Sequence, residues 1–235
     1  GARQMAEVSI ARSRIDMSIE VASTSGMRIE VADTSDFLAL VDRQTTGGHV
    51  WDAARRMYDF VMAEQALAGC SSLLELGSGT GWLGMSLALG LHGQLSRVVL
   101  TELETGNACD WLRHNVHLNR QRLARASDVE SSDVLEAVEV EPLDWSCLVD
   151  GAAGIPSDLA GTWDAVIGSD LIYNEAGAAL LPRVLRSLMD NFETGHDVRG
   201  DGPSPPPHQR VLYAHTRYRF EHLDRDFFAE CAALG

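Results

Sequence analysis

A glycine-rich turn follows one of the most apolar short segments of the chain. The segment from Leu73 to Leu76 runs into the sequence G-S-G-T-G, which begins at Gly77, and a helix is predicted to follow. A backbone without Cβ atoms can pass close to a ligand, and the first N–H groups of a helix are unpaired. Strand, turn and helix together therefore predict a site for a nucleotide-like cofactor.

The turn fits the glycine motif in two registers. The pattern G-x-G-x-x-G runs from Gly79 to Gly84 and is the fingerprint of dinucleotide binding. That register begins three residues beyond the strand, whereas the fingerprint follows its strand directly. The register that begins at Gly77 places Glu75 at the strand end, where its carboxylate would repel a pyrophosphate. The same carboxylate would favour an ammonium and a sulfonium, so the sequence favours S-adenosylmethionine over NAD.

A second carboxylate ends the next predicted strand. This apolar segment starts at Arg97 and ends in Glu102. In a βαβ unit the end of the second strand lies beside the ribose, where a carboxylate accepts hydrogen bonds from both hydroxyls. Because enzymes that use NAD and enzymes that use S-adenosylmethionine share this arrangement, Glu102 indicates an adenosine without distinguishing the two cofactors.

Asp170 and Tyr173 are the third candidate pair, and they follow a predicted buried strand at residues 165–169. Ligands of open α/β sheets bind beyond the carboxyl ends of the strands. Three residues separate the pair, so one helical turn would place both on one face and form a substrate gate. The residues alone leave open an alternative in which Asp170 caps the next helix and Tyr173 packs.

The elements that must position these residues alternate along the chain. Alternating apolar residues at 17–31 predict a β-hairpin. Strands are predicted at residues 72–76, 98–102, 137–142, 165–169 and 210–215, and helices at about 50–66, 81–91, 108–119, 176–190 and 220–234. Apolar strands separated by helical patterns predict a parallel sheet covered on both faces.

We expect one domain, because 235 residues can bury one substantial core. The predicted division is a disordered segment at 1–16 and a single domain at 17–235, with a hairpin and helix at 17–68, a cofactor-binding core at 70–235 and a mobile loop at 195–209. A sheet that ended at the 210–215 strand would leave an apolar edge unpaired. Closing strands beyond residue 235 are therefore expected.

Composition narrows the class of protein. The formal net charge of −15 argues against general affinity for nucleic acid or anionic lipid. Four scattered cysteines without a C-x-x-C pair predict neither a disulfide framework nor a zinc site, and they favour the cytoplasm or the nucleus. No apolar run approaches the ~20 residues of a membrane span. His114 and His117 have no neighbouring acid or cysteine to complete a site, so no metal is predicted.

Four segments, in order, resemble a known family. They are G-H-V-W-D-A-A from Gly48, the glycine turn with Glu75, L-D-W from Leu143 and D-x-x-Y from Asp170. Together they resemble the seven-β-strand S-adenosylmethionine-dependent methyltransferases of methyltransferase family 16, the branch rich in protein-lysine methyltransferases. The resemblance covers most of the chain. It implies a Rossmann-like, doubly wound and mostly parallel α/β sheet.

The resemblance also implies which residues bind S-adenosylmethionine. Trp51 would border the methionine end of the cofactor, and Glu102 would bind the ribose, where an aspartate is more usual in the family. Trp145 and Ser169 would flank the adenine. The full implied set is Trp51, Glu75, Gly77, Ser78, Gly79, Glu102, Trp145 and Ser169.

A methyl acceptor is implied as well, namely the side-chain amine of a lysine in a protein substrate. Asp170 and Tyr173 would line its channel as the catalytic pair. The residues leave open a small molecule or another protein side chain as the acceptor, or a non-catalytic binding module, whereas Glu75 disfavours an NAD-dependent oxidoreductase. We expect a monomer with no nucleic-acid or membrane partner.

Overall fold

The computed structural model describes residues 29–33, 35, 37–38, 41, 47–125, 134–149, 156, 159, 163–194 and 209–234, except for the side chains of 148–149 and 190–194. Three predicted features lie wholly or almost wholly outside these residues. They are the disordered segment at 1–16, the first arm of the hairpin and the mobile loop at 195–209. No helix in the described ranges is long and apolar enough to cross a bilayer.

Strands and helices alternate along the described chain. The strands are β1 (Ser72–Leu76), β2 (Arg97–Glu102), β3 (Val138–Pro142), β4 (Ala165–Ser169) and β5 (Arg210–Ala214). The helices are α1 (Asp52–Glu64), α2 (Trp82–Gly90), α3 (Ala108–Arg125), α4 (Trp145–Val149), α5 (Glu175–Thr194) and α6 (Glu221–Leu234). All five predicted strands and all five predicted helices are confirmed, with ends shifted by a few residues.

The five strands form one parallel sheet in the order β3-β2-β1-β4-β5. Leu73 of β1 pairs with Val98 of β2 on one side and with Ala165 of β4 on the other. The strand order therefore reverses between β1 and β4. In open α/β sheets ligands bind at such a switch point, beyond the carboxyl ends of the strands.

Both faces of the sheet are buried. Successive side chains of a strand point to opposite faces, so Leu73 packs with helices α1 to α3 while Leu74 packs with α5 and α6. Helix α2 is apolar nearly all round and almost wholly buried, because it lies between β1, β2 and α1. This arrangement confirms the predicted doubly wound α/β fold.

The second arm of the predicted hairpin is not a strand where it is described. At residues 29–33 the Glu30 N–H donates to Asn119 Oδ1 (3.0 Å), and the Ala32 N–H donates to Asn115 Oδ1 (2.8 Å). Both asparagines are buried on α3. Their amides satisfy the backbone groups that a neighbouring strand would otherwise satisfy. The alternation of apolar residues here reflects packing against a helix, and the sequence pattern did not distinguish the two.

Helix α4 was not predicted. It begins directly after Asp144, whose Oδ1 accepts hydrogen bonds from the N–H (2.9 Å) and the hydroxyl (2.8 Å) of Ser146. An aspartate in this position satisfies donors that the first turn of a helix leaves unpaired. The turn places Trp145 at the carboxyl edge of the sheet, beside the cavity described next.

Candidate active site

A cavity of about 520 Å³ opens at the carboxyl ends of β1, β2 and β4. This volume lies in the range of small-molecule and cofactor sites. Among its lining residues are all ten that the sequence analysis singled out: Trp51, Glu75, Gly77, Ser78, Gly79, Glu102, Trp145, Ser169, Asp170 and Tyr173. The fold therefore brings together residues from five separate segments, while the role of each remains a prediction.

The glycine turn needs glycine for its conformation and for the space around it. Gly77, Gly79 and Gly81 have φ angles of 57°, 54° and 75°, in the left-handed region that favours glycine. A Cβ atom on Gly77 would lie 2.6 Å from Leu171 Cδ2, and one on Gly81 would lie 2.5 Å from Leu112 Cδ1. Leu171 belongs to the D-x-x-Y segment, so the turn and the predicted acceptor channel are in direct contact.

Ser78 fixes the turn against β2. Its N–H donates to the carbonyl of Thr101 (2.9 Å), and its Oγ accepts the Thr101 N–H (3.1 Å). The Thr101 hydroxyl in turn donates to the carbonyl of Glu75 (2.7 Å). These bonds are buried, where an unpaired polar group would be costly. They hold the glycine backbone in place at the edge of the cavity.

Glu75 is a buried carboxyl group at the cavity wall. Only 2% of the residue is exposed, and its Oε2 accepts the Gly84 N–H in the first turn of α2 (3.0 Å). Burial raises the pKa of Glu75 to about 8. Hydrogen bonds from Gly84 and Ser78 lower this pKa but are outweighed, and the nearby negative charge of Glu102 raises it further. The group is therefore largely protonated at neutral pH unless a cation approaches it.

Glu102 ends β2 on the opposite side of the glycine turn. Its Oε2 accepts the Leu103 N–H (2.7 Å), and its Oε1 accepts the Gly79 N–H (3.2 Å). Burial raises the pKa of Glu102, and these two bonds partly oppose the rise. The Glu102 carbonyl accepts the Leu143 N–H (2.8 Å), which anchors the L-D-W segment to the end of β2. Predicted ribose and adenine residues thus lie on adjoining loops.

Asp170 does not cap the following helix, so the capping role that the sequence had left open for it is wrong. Helix α5 is capped by Asn174, whose Oδ1 accepts the Gly177 N–H (2.7 Å). Asp170 has a φ of 55°, and its N–H donates to the carbonyl of Ala214 on β5 (2.9 Å). Its side chain is only 5% exposed, whereas Tyr173 is 46% exposed at the mouth of the cavity.

Arg219 is a cavity residue that the sequence analysis missed. Its Nη1 donates to Asp170 Oδ2 at 3.0 Å, and its guanidinium carbon lies 4.4 Å from the centre of the Trp51 ring. Both contacts lie inside the cavity. A signal was present in the sequence, because Arg219 lies in the loop after β5 and Asp170 directly follows β4, and the carboxyl ends of neighbouring parallel strands meet at one edge.

A buried polar network supports the segments that carry Asp170 and Arg219. The hydroxyl of Tyr213 accepts the Leu171 N–H (3.1 Å), and its ring stacks on His215. His215 Nε2 lies 2.7 Å from Asp224 Oδ1, while Asp224 Oδ2 accepts the Tyr218 N–H (2.8 Å). Burial raises the pKa of Tyr213, so its hydroxyl stays neutral. One aspartate on α6 therefore holds both ends of the loop before Arg219.

We expect Asp224→Ala to lower the free energy of unfolding by about 2 kcal/mol, because the His215 ring nitrogen and the Tyr218 N–H both lose their hydrogen-bonding partner. The measurement is urea denaturation followed by circular dichroism. Asp226→Ala is the matched control, since Asp226 is exposed on the same helix and pairs with Arg225 at the surface. Equal stability of the two variants would contradict the supporting role of Asp224.

A parallel, doubly wound sheet with two carboxylates around a glycine turn defines the class of Rossmann-like methyltransferases that use S-adenosylmethionine. The chain belongs to the lysine methyltransferase family, because the model described as "Lysine methyltransferase" matches residues 36–195, more than half of its length. Family membership confirms the predicted family and the predicted cofactor, S-adenosylmethionine.

The chain is similar to several known proteins. Protein N-terminal and lysine N-methyltransferase EFM7 of Cryptococcus neoformans is 28% identical over 80% of this chain and 59% of its own length. EEF1A lysine methyltransferase 3 of Mus musculus is 28% identical over 78% of this chain and 70% of its own length. Among solved structures, cofactor-bound Rv0187 from MTB aligns with a TM-score of 0.38 at 20% identity, over 66% of this chain and 57% of that one. The chain thus spans about six tenths of the length of the first relative.

The described residues fit S-adenosylmethionine. The cofactor carries two positive groups, and the cavity presents Glu75 and Glu102 on either side of the glycine turn. Gly79 has no side chain, and a Cβ there would meet only backbone atoms of Gly47 at 3.6 Å, so the turn presents open backbone to the cavity. Trp145 provides an aromatic wall beside the same turn.

Proposed function

We propose that this chain transfers a methyl group from S-adenosylmethionine to the side-chain amine of a lysine in a protein substrate. The observation that carries the proposal is the position of Asp170, a buried carboxylate in the same cavity as Glu75, Glu102 and the glycine turn. A cation-binding carboxylate next to a cofactor site suits an acceptor that arrives as an ammonium. The relatives named above are lysine methyltransferases, which supports the same acceptor.

The protein would hold the cofactor by charge and by shape. Glu75 would face the cofactor ammonium, Glu102 would accept hydrogen bonds from the ribose, and Trp145 would pack against the adenine. When bound, S-adenosylmethionine supplies a sulfonium methyl group, which passes to the amine nitrogen as its bond to sulfur breaks. A Cβ on Gly77 would meet Leu171 and Trp145, which both line the cavity, so glycine at this position keeps a side chain out of the site.

The acceptor must lose a proton before its nitrogen can react. A free lysine has a pKa of ~10.4, so it is mostly protonated at neutral pH. The walls of the cavity, with Trp51 and Tyr173 near the mouth, would remove water from the ammonium and lower its pKa. Asp170 would orient the group while the proton leaves to water. Most of the rate would come from positioning, not from a strong base.

A protein α-amine is the second candidate acceptor. EFM7 is named for both activities, as a protein N-terminal and a lysine methyltransferase. The two acceptors are both primary amines on a polypeptide, and the cavity described here suits either. They differ in what remains after acid hydrolysis, which is methyl-lysine in one case and an α-N-methyl amino acid in the other.

The remaining properties are also proposed from composition. A net charge of −15 supports a protein or peptide partner in place of nucleic acid. Four free cysteines support a reducing compartment, the cytoplasm or the nucleus. We propose a monomer as the working state, which sedimentation of the purified protein would test.

The proposal is tested in two steps. Calorimetric titrations with S-adenosylhomocysteine and with NAD, run in parallel, should show saturable binding of the first alone. The protein is then incubated with labelled S-adenosylmethionine and a cell extract, and labelled proteins are hydrolysed. All 19 basic residues of the chain other than histidine are arginines, so labelled methyl-lysine cannot arise from the enzyme itself. Binding of NAD alone, or the absence of methylated amines, would contradict the proposal.

We expect Asp170→Asn to reduce methyl transfer at least tenfold, because a charge-assisted hydrogen bond to the acceptor contributes about 1.5–3 kcal/mol. Tyr173→Phe should change transfer in the same direction. Both variants should bind S-adenosylhomocysteine nearly as well as the unmodified protein. Tyr218→Phe serves as the control, since Tyr218 is 71% exposed and lies outside the cavity. A parallel loss of cofactor binding would show that the assigned roles are wrong.

A further inference from the structure

The cavity contains a cation supplied by the chain itself. The Arg219 guanidinium lies between the Asp170 carboxylate, at 3.0 Å, and the face of the Trp51 ring, at 4.4 Å from its centre. Phe220 lies on a further side, with its ring centre 5.5 Å away. A carboxylate and aromatic faces around one cation form the arrangement by which proteins bind ammonium ligands. The position is therefore a cation-binding subsite.

The two partners of this ion pair are held differently. Asp170 is fixed, because its N–H donates to the Ala214 carbonyl and its Oδ1 accepts the Thr216 N–H at 3.3 Å. Its side chain is 5% exposed, whereas that of Arg219 is 34% exposed on a long, flexible stem. The carboxylate is thus a permanent part of the subsite, and the guanidinium is an occupant that can leave.

Charge around the cavity supports the same distinction. The lining carboxylates are those of Glu102, Asp144 and Asp170, whereas Glu75 is largely protonated in the unliganded protein. Among the described lining residues Arg219 is the only arginine. A buried carboxylate that loses its partner is strongly destabilised unless another cation replaces it. Removal of Arg219 should therefore create a site that recruits a cation from solution.

We propose that Asp170 and Trp51 form the subsite for the acceptor ammonium, and that Arg219 occupies this subsite until the acceptor displaces it. The inference rests on the proposed function and adds a specificity-determining residue to it. An amine free in solution must compete with a cation tethered beside the site. A lysine on a protein gains additional contacts outside the cavity, so the competition favours protein acceptors over small amines.

The test uses n-butylammonium chloride as a probe that resembles the end of a lysine side chain. It is titrated by NMR into the full chain, with and without saturating S-adenosylhomocysteine. We expect Arg219→Gln to bind the probe at least tenfold more tightly than the unmodified protein. Arg217→Gln is the matched control, because Arg217 lies two residues away, outside the cavity. Adding Asp170→Asn to Arg219→Gln should abolish the gain.

The outcomes separate this inference from the proposed function. Binding of S-adenosylhomocysteine by the unmodified protein tests the cofactor, and probe binding by Arg219→Gln tests the subsite. If Arg219→Gln does not bind the probe more tightly, the inference is overturned. If that variant also loses tenfold in S-adenosylhomocysteine affinity, Arg219 is a cofactor ligand instead. Arg219→Met keeps the stem of the side chain if the glutamine variant fails to fold. Unfolding of both variants would assign Arg219 a structural role and also overturn the inference.

Discussion

Replacing Glu75 by glutamine is expected to weaken S-adenosylhomocysteine binding by about 100-fold at pH 7.5, because a charged hydrogen-bonding partner is removed from a buried position. The side chains are nearly equal in shape, and the glutamine oxygen can still accept the Gly84 N–H that Glu75 accepts at 3.0 Å. The fold should therefore be retained. Isothermal titration calorimetry of both proteins measures the change in affinity.

The affinity of the unmodified protein should rise with pH, and the glutamine variant should lose this dependence. Burial raises the pKa of Glu75 to about 8 in the unliganded protein. The ligand ammonium favours the ionised carboxylate and lowers this pKa, so binding releases a proton. Affinity should then increase by up to about tenfold per pH unit between pH 6 and pH 8. Calorimetry in buffers of different ionisation enthalpy counts the released protons.

The raised pKa of Glu75 affects folding in the opposite direction, because stability falls as the pH rises. The pKa of Glu75 is higher in the folded protein than the value of 4.5 expected in the unfolded chain. Protonation therefore stabilises the fold below pH 4.5, and this contribution is lost as the pH rises to about 8. Over that window, the unliganded protein should lose thermal stability more steeply than the glutamine variant.

Glu139→Gln is the matched control for both measurements, since Glu139 is exposed on β3. It should leave the affinity, the proton release and the pH dependence of stability unchanged. Proton release of equal size in Glu75→Gln would show that another group titrates on binding. In that case Glu75 would only anchor helix α2.

Alanine at Gly84 is expected to lower the free energy of unfolding by about 2 kcal/mol through overpacking. An added Cβ would lie 2.3 Å from Leu100 Cδ2 and 2.5 Å from Glu75 Oε2. Leu100 is fully buried in the core, so it has little room to move. In an ordinary helix interior the same substitution would stabilise by ~1 kcal/mol. The sign of the change, measured by urea denaturation, therefore decides the prediction.

A double-mutant cycle identifies the cause. Leu100→Ala removes the nearer of the two contacts, so Gly84→Ala should cost less in that background than in the unmodified protein. Equal costs in both backgrounds would mean that the Leu100 contact does not matter. A gain in stability in the unmodified background would show that α2 shifts away from β1 without strain.

Most of the cofactor side of the site was predictable because its residues are local in sequence. Glu75 and the glycine turn lie within one strand–turn–helix unit, and Glu102 ends the next strand. The rule that carboxyl ends of parallel strands meet at one edge then brings in Asp170. The same local reasoning failed at residues 29–31, where alternating apolar residues pack along α3 and form no strand in the described range.

The sequence by itself determined the order of strands and helices, the parallel sheet and the carboxylates at its edge. Periodicity and turn chemistry are properties of neighbouring residues, so they can be read along the chain. Only the tertiary structure decided which charges meet. The pairing of Asp170 with Arg219 joins residues 49 positions apart, and the Asp224 network that holds their loops joins β5 to α6. Such contacts depend on how loops from different strands pack together, and no local pattern records that.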